Sequence, residues 1–214
     1  MDVTRILAIR HGETAWNVDT RLQGHLDIPL NETGLLQADR LARALTGREM
    51  VDAIYASDLS RAHATAQALA NAMGQTVRTH VGLRERHFGV FQGRTFAEVE
   101  AEWPEHAVQW RKRTPEWTPP GGGESLLVLH QRIMNSVNEL AAQHKGQQIV
   151  LVAHGGVLDI LYRAATRLDH QAPRTWSLTN TAVNRLLWTP EGLSLVGWGD
   201  TSHLDALAKD ETSL

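Results

Sequence analysis

Two short, uninterrupted apolar runs lie near the start of the chain and in its last third, at residues 6–9 and 149–153. Runs of this length are typical of strands buried on both faces of a parallel sheet. Further short strands are predicted at residues 54–56 and 76–78. Residues 183–198 have the pattern of a β-hairpin, with turn-forming residues at its centre.

Between these runs, apolar residues recur at the three-to-four-residue spacing of helices. One such pattern follows Thr33, which we predict as its N-cap. A second follows Ser57 and Asp58 and ends at Gly74, and a third follows Ser125. This alternation predicts an α/β fold, a three-layer α/β/α sandwich with a mainly parallel central sheet.

The 214 residues are enough for one domain, which we predict over residues 1–214. Residues 103–123 differ from the rest, since they hold four prolines, three tryptophans and a triple glycine. We interpret residues of about 86–123 as a small cap insertion whose tryptophans pack it onto the core. The less favoured alternative is that these tryptophans line a ligand pocket. The tail after His203 is expected to be poorly ordered.

Composition and charge narrow the function classes. The chain has a formal charge of −3, which gives no general reason to expect a nucleic-acid or membrane partner. Cysteine is absent, which excludes disulfides and a cysteine nucleophile. The N-terminus runs directly into the first apolar run without the pattern of a signal peptide, so a cytoplasmic protein is expected. The composition does not distinguish a monomer from a homodimer, so both remain open.

Basic residues follow both long apolar runs. Arg10 and His11 come after the first, and His154 and Gly155 after the second, where ligands bind in open α/β sheets. A single histidine at a strand end favours a structural role, but two such ends favour a functional site. Arg61 lies in the first turn of a predicted helix and opposes the helix dipole. A bound anion would remove this conflict, although a solvated surface arginine is the alternative.

Short motifs then follow one another in a set order along almost the whole chain. They occupy residues 7–17, 21–24, 27–31, 57–62, 83–85, 122–125, 152–156 and 200–204. Their residues and order resemble those of the histidine phosphatase superfamily, also called the phosphoglycerate mutase-like family. The Arg-His-Gly triplet alone is a weak match, whereas the ordered set is specific.

The resemblance implies that His11 attacks phosphorus and becomes a phosphohistidine, and that Glu85 is the general acid and base. On the residues alone, Glu85 between two arginines has the pattern of a surface ion pair. The implied catalytic residues are His11, Glu85, His154, Arg10 and Arg61. The implied phosphate-binding residues are Arg10, Asn17, Gln23, Gly24, Arg61, His154 and Gly155.

No metal site and no cofactor are predicted, since arginines already supply the positive charge and the histidines lack ligand spacing. The triple glycine of residues 121–123 is not followed by lysine and so is not a Walker loop. The expected partner is a small phosphate ester.

The favoured activity is that of a metal-independent phosphomonoesterase, a phosphohydrolase. The alternative is a cofactor-dependent phosphoglycerate mutase, in which a tyrosine replaces Phe88 and a lysine follows about one turn later. Residues 93–98 instead resemble the phosphatase branch, and a small cap admits the water that a mutase must exclude. Residues 111–113 are interpreted as a solvated basic run rather than as contacts for a substrate carboxylate. A remote alternative is a non-catalytic protein that binds phosphorylated ligands.

Overall fold

The computed structural model of the chain describes residues 2–205, so most of the tail after His203 lies outside it. In these residues the strands are β1 Thr4–Arg10, β2 Ala53–Ala56, β3 Val77–Thr79, β4 Gln148–Ala153, β5 Val183–Thr189 and β6 Gly192–Asp200. The α-helices are α1 Ala15–Val18, α2 Glu32–Leu45, α3 Ser60–Met73, α4 Phe96–Glu102, α5 Pro104–Arg111, α6 Leu126–Ala142 and α7 Gly155–Thr166.

The strands form one six-stranded sheet in the order β3-β2-β4-β1-β5-β6. Strands β3, β2, β4 and β1 run parallel to one another, whereas β5 runs antiparallel to β1 and forms an antiparallel hairpin with β6. The predicted mainly parallel α/β sheet and the C-terminal hairpin are therefore confirmed.

Helices cover both faces of this sheet because successive strand residues point to opposite sides. On β1, Ile6 and Ala8 pack with residues of α6 and α7, and Leu7 and Ile9 pack with residues of α2 and α3. Strand β4 alternates in the same way. This produces the three predicted layers, with an apolar core on each side of the sheet.

Helix ends agree with the sequence in two places and differ in one. Helix α3 ends at Gly74, which has a left-handed backbone (φ 66°), and Ser125 caps α6 as predicted. The predicted cap of α2 at Thr33 is wrong, because Asn31 caps that helix through its side-chain oxygen, which accepts from the Gly34 N–H at 2.8 Å. Asparagine is among the strongest N-cap residues, and Thr33 lies in the first turn.

The segment expected to form a cap contains a short 3₁₀ turn, Gly89–Phe91, followed by α4 and α5. Its three tryptophans surround the fully buried Phe91, with ring centroids 5.3–6.2 Å away. They therefore build an aromatic centre within the segment, rather than packing onto the cores beside the sheet as expected. Among residues 2–205, no helix is both long and apolar enough to span a membrane.

Candidate active site

The register of β1 against β4 brings two histidines together. These strands are parallel neighbours that pair Arg10 with Ala153, so the residue following each strand lies at the same edge of the sheet. The His11 N–H donates to the Ala153 carbonyl at 2.9 Å. The rings of His11 and His154 are both buried, with centroids 5.1 Å apart.

His11 is held neutral and in one tautomer. Its burial, followed by the positive charges of Arg10 and Arg61, holds the pKa of His11 well below the ordinary value of 6.5. Its Nδ1 lies 2.7 Å from the Gly12 carbonyl oxygen, which can only accept a hydrogen bond. This contact assigns the proton to Nδ1 and leaves Nε2 with a lone pair that can act as a nucleophile.

Two arginines flank this imidazole. Arg61 is fully buried and donates through Nη1 to the Leu26 carbonyl at 2.9 Å and through Nη2 to the Gly24 carbonyl at 2.8 Å. Arg10 donates through Nη1 to the Leu178 carbonyl. The buried Nε–H of each arginine has no acceptor within residues 2–205. Since buried donors are normally paired, both are available to an anionic ligand.

Glu85 contacts the start of α7. Its carboxylate accepts from the backbone N–H of Gly156 at 3.0 Å and from that of Arg86 at 2.8 Å. The alternative of a surface ion pair with its neighbour is wrong, because Arg84 instead donates to Asp58 at 2.7 Å. Gly156 is required for this approach, since a Cβ there would lie 2.2 Å from Oε1 of Glu85.

Side chains remote in sequence fix the backbone of Glu85. Arg132 of α6 donates to the carbonyls of Arg84 (2.9 Å) and Glu85 (3.1 Å), and His25 Nε2 lies 2.8 Å from the Glu85 carbonyl. Arg132 also pairs with Glu124 at 2.7 Å. Sequence reasoning missed both roles, because each depends on a contact between segments that no local pattern marks.

A cavity of about 130 Å³ lies beside His11. Most of the predicted site residues line it, namely Arg10, His11, Asn17, Gln23, Gly24, Arg61 and Glu85. The predicted His154 is not in this wall but stacks at a tilt on His11, and Gly155 lines a neighbouring, larger cavity. The cavity also contains Arg21, which pairs with Glu98 at 3.0 Å. It therefore combines one neutral imidazole, three arginines and one carboxylate in a space suited to a small anion.

The neighbouring cavity corrects the prediction for the basic run at residues 111–113. Arg113 is not simply solvated, since it donates to the buried Asp159 at 2.6 Å and lines this cavity together with Arg86 and Arg174. Arg111, which pairs with Glu100, and Lys112 are exposed and fit the predicted solvated run. Within residues 2–205, no group of three or more His, Asp or Glu side chains is arranged to hold a metal ion.

Comparisons with known proteins agree with this geometry. The model of the histidine phosphatase superfamily (branch 1) matches residues 6–201. Two Arabidopsis thaliana relatives, named phosphoglycerate mutase-like protein 4 and metal-independent phosphoserine phosphatase, are 39% and 37% identical. Each alignment covers 96% of this chain, and 89% and 85% of the respective relative.

Among solved structures, a mycobacterial glucosyl-3-phosphoglycerate phosphatase is 34% identical with a TM-score of 0.81. That alignment covers 93% of this chain and 100% of the other. The family match spans both strand-end histidines, Arg61 and Glu85. The chain therefore belongs to the histidine phosphatase superfamily.

Proposed function

We propose that this protein hydrolyses small phosphate monoesters through a phosphohistidine on His11. The observation that carries the proposal is a buried, neutral imidazole with an unprotonated Nε2, in a cavity whose arginines have unpaired N–H donors. A nucleophile beside fixed cations is what in-line attack on a phosphoryl group needs. Phosphatase-named relatives support the same reaction.

The proposed reaction has two steps. In the first, the bond from Nε2 of His11 to phosphorus forms and the bond to the ester oxygen breaks. The carboxyl group of Glu85, which begins the cycle in its acid form, gives that oxygen its proton and becomes a carboxylate. In the second, water attacks phosphorus, its proton passes to Glu85, and the P–N bond breaks to release phosphate and restore His11. Glu85 thus ends each cycle in its starting state.

The remaining site residues stabilise charge on the phosphoryl oxygens. Arg10 and Arg61 each offer a buried Nε–H, and positive charge fixed in a buried site is a large source of catalysis. Both ring nitrogens of His154 are buried and unpaired in the described part of the chain. The proposal gives supporting contacts to the side chains of Asn17 and Gln23 and the backbone at Gly24 and Gly155.

A phosphoglycerate mutase is the less favoured candidate, although one relative carries a mutase-like name. A mutase returns the phosphoryl group to a second hydroxyl and must keep water from the phosphohistidine. The expected cap here consists of a 3₁₀ turn and two short helices, α4 and α5, which is a small structure for keeping water out.

The remote alternative is a non-catalytic binding protein. Such a protein has no need for a neutral His11 beside both Arg61 and Glu85.

Trapping the intermediate tests the nucleophile. With a ³²P-labelled ester in excess EDTA, the wild-type protein should form acid-labile, base-stable label on histidine and release phosphate. The His11→Ala variant should form no label and lose almost all turnover, since the covalent route is removed. His63→Ala, on the outer part of α3, serves as the control and should label normally. Label that persists in His11→Ala, or turnover that requires added metal, would contradict the proposal.

The leaving group tests Glu85. Glu85→Gln keeps the size of the side chain but cannot transfer a proton, so alkyl phosphate hydrolysis should fall by about 10² to 10⁴. A nitrophenolate leaves without protonation, so the first step should survive while water activation in the second step suffers. Rapid mixing should then show a burst of nitrophenol followed by slow turnover. Equal losses for both esters with no burst would assign Glu85 a structural role.

A further inference from the structure

A short run at residues 93–98, whose pattern resembles the phosphatase branch, takes no part in the proposed reaction. In the structure this run lies against residues 21–25, here called the phosphate loop because it contains two of the predicted phosphate-binding residues. The Leu22 N–H donates to the Arg94 carbonyl at 2.9 Å, and the Gly93 N–H donates to the Leu22 carbonyl at 2.7 Å. Part of the segment expected to form a cap is therefore joined to the phosphate loop through the backbone.

Leu22 lies where the two cavities meet. The small cavity beside His11 and the larger one share three lining residues, namely Arg10, Leu22 and Phe88. Three further residues of the phosphate loop line the small cavity alone, namely Arg21, Gln23 and Gly24. The run at residues 93–98 lines neither cavity. Contacts between this run and the loop therefore act on the side where the phosphoryl group is proposed to bind.

Two sets of contacts hold the phosphate loop closely at Gly24. The Gly24 carbonyl accepts from Nη2 of Arg61 at 2.8 Å. Oε1 of Gln92 accepts from the His25 N–H at 2.8 Å, and a Cβ on Gly24 would lie 2.2 Å from this oxygen. Gly24 also has a left-handed backbone (φ 54°), which glycine adopts without strain. The loop therefore has little freedom to shift unless the residues around it shift as well.

Arg21 adds a side-chain link between the phosphate loop and the run. Its Nη1 donates to the Gly93 carbonyl at 2.8 Å and to Oε2 of Glu98 at 3.0 Å. The same oxygen of Glu98 accepts from the Thr95 N–H at 2.8 Å, and Oγ1 of Thr95 accepts from the Glu98 N–H at 3.2 Å. These last two contacts form the capping box of α4. One carboxylate therefore joins the start of α4 to an arginine in the wall of the small cavity.

The pair of Arg21 and Glu98 matters because the small cavity is crowded with positive charge. Arg10, Arg21 and Arg61 line this cavity with one carboxylate, that of Glu85. Positive charges at short range repel one another, and Arg61 is fixed by its burial and by the two carbonyls that it donates to. The Arg21 side chain is 34% exposed, so solvent offers it an alternative position. Glu98 lies outside the cavity wall and opposes that displacement, because it gives Arg21 an anionic partner.

We propose that Glu98 is a positioning residue for the phosphoryl site, which holds Arg21 and the phosphate loop in place without touching the substrate. This inference rests on the proposed function and assigns a further residue to the same site. The segment expected to form a cap then supports the phosphoryl site as well as covering it. Loss of the Glu98 charge should therefore weaken binding of the phosphoryl group itself, whatever alcohol the ester carries.

The test uses inorganic phosphate, which probes the phosphoryl site without a leaving group. Glu98→Gln keeps an acceptor for the Thr95 N–H, since glutamine also suits a capping box, but it removes the charge that holds Arg21. The inhibition constant for inorganic phosphate should rise about tenfold, and kcat/KM should fall by a similar factor for alkyl and nitrophenyl esters alike. The melting temperature should hardly change, because part-exposed ion pairs contribute little to stability.

Glu102→Gln is the matched control. Glu102 lies on the same helix, α4, and pairs with Arg94 at 2.9 Å, with both side chains 43% exposed. Neither residue lines the small cavity or the larger one. The substitution removes an ion pair of similar exposure, and the inhibition constant for inorganic phosphate should stay at its wild-type value.

A double-mutant cycle shows whether Glu98 acts through Arg21. Arg21→Gln should raise the inhibition constant for inorganic phosphate at least as much as Glu98→Gln does. When Glu98→Gln is added to Arg21→Gln, almost no further change should follow, because the group that Glu98 holds is already gone. Additive effects of the two substitutions would show that Glu98 acts by another route and would overturn the inference.

The remaining outcomes separate the inference from the proposed function. Weaker phosphate inhibition in Glu98→Gln, with equal losses for all esters and no change in Glu102→Gln, supports the inference. Phosphate inhibition in Glu98→Gln equal to that of the control, or a loss confined to alkyl esters, overturns the inference and leaves the proposed function intact. Failure of the wild-type protein to hydrolyse simple phosphate monoesters overturns the proposed function, and this inference falls with it.

Discussion

At the scale of single residues, burial controls the ionisation of both strand-end histidines. Burial is the largest cause that lowers the pKa of His154, followed by the charge of Arg61, and the same two influences act on His11. The arginines remain charged near neutral pH, since burial lowers the pKa of Arg61 only to about 10. The site thus keeps its cations charged and its imidazoles neutral at the same pH.

This arrangement predicts how His11 titrates. Because its pKa is below 6.5, His11 binds a proton only in more acidic solution and stays a neutral nucleophile through mildly acidic pH. NMR titration of the ring, assigned by the signal lost in His11→Ala, should show the neutral Nδ1–H form at pH 6.5. Arg61→Gln removes a positive charge and should raise the pKa of His11 part of the way. A midpoint at or above 6.5 in the wild-type protein would contradict this account.

Individual site residues differ in how far the sequence reveals them. His11 and His154 could be found because each follows a buried strand, and the register of that pair brings them together. Arg113 could not be placed, since its sequence neighbours are solvated and its partner, Asp159, comes from a helix 46 residues further along. Arg174 could not be placed either. It lies on a loop, and only the folded structure shows that it lines a cavity.

At the scale of elements, the start of α7 positions Glu85, the proposed general acid. Gly155 and Gly156 open this helix, and the backbone N–H of Gly156 binds the carboxylate of Glu85. A backbone N–H in the first turn has no partner within its own helix and suits an anionic acceptor. Gly156 therefore matters because it lets the carboxylate of Glu85 approach the helix closely.

Gly156→Ala tests this coupling. The added Cβ would displace the carboxylate of Glu85, yet alanine is favoured in helices and the contact is with the end of a flexible side chain. Activity should therefore fall by about a hundredfold while the melting temperature changes little. In Gly155→Ala the nearest atom to the new Cβ is 3.7 Å away, and a much smaller loss is expected. Equal losses in both variants would show that Glu85 is not the group affected.

The sequence predicts a strand or a helix end correctly where one local pattern dominates, and it fails where two patterns fit equally well. The apolar runs of β1 and β4 admit one interpretation, because both faces of each strand are buried. At the start of α2, Asn31 and Thr33 are both good caps, and only the structure distinguishes them. The prolines of the segment expected to form a cap set it apart in the sequence, but its aromatic centre around Phe91 depends on packing within the folded segment.

At the scale of the whole molecule, the two neighbouring cavities determine whether water can be kept away from the proposed phosphohistidine. The larger cavity adjoins the small one, where we propose that the phosphoryl group binds, and offers space for the leaving group and for water. The short helices α4 and α5 make up most of the ordered structure in the segment expected to cover it. These features favour hydrolysis of a phosphohistidine over its transfer to a second hydroxyl.

A direct comparison of the two reactions tests this preference. Incubation with 3-phosphoglycerate and the bisphosphate cofactor should release inorganic phosphate faster than it forms 2-phosphoglycerate, because water reaches the intermediate. Both products are measured in the same reaction by ³¹P NMR, and His11→Ala provides the background rate. Rapid isomerisation that depends on the bisphosphate, with little phosphate release, would favour the mutase instead.

The small overlap between the two cavities has a consequence for how this fold diversifies. The proposed reacting groups, His11 and Glu85, line only the smaller cavity, and Asp159 and Arg174 line only the larger one. Substitutions at these wall positions, though not at Gly156, whose N–H binds Glu85, therefore change which ester fits while the proposed bond-breaking groups stay in place. Copies of a duplicated gene can then diverge in selectivity through a series of active intermediates, since no step along the way requires the reaction itself to be rebuilt.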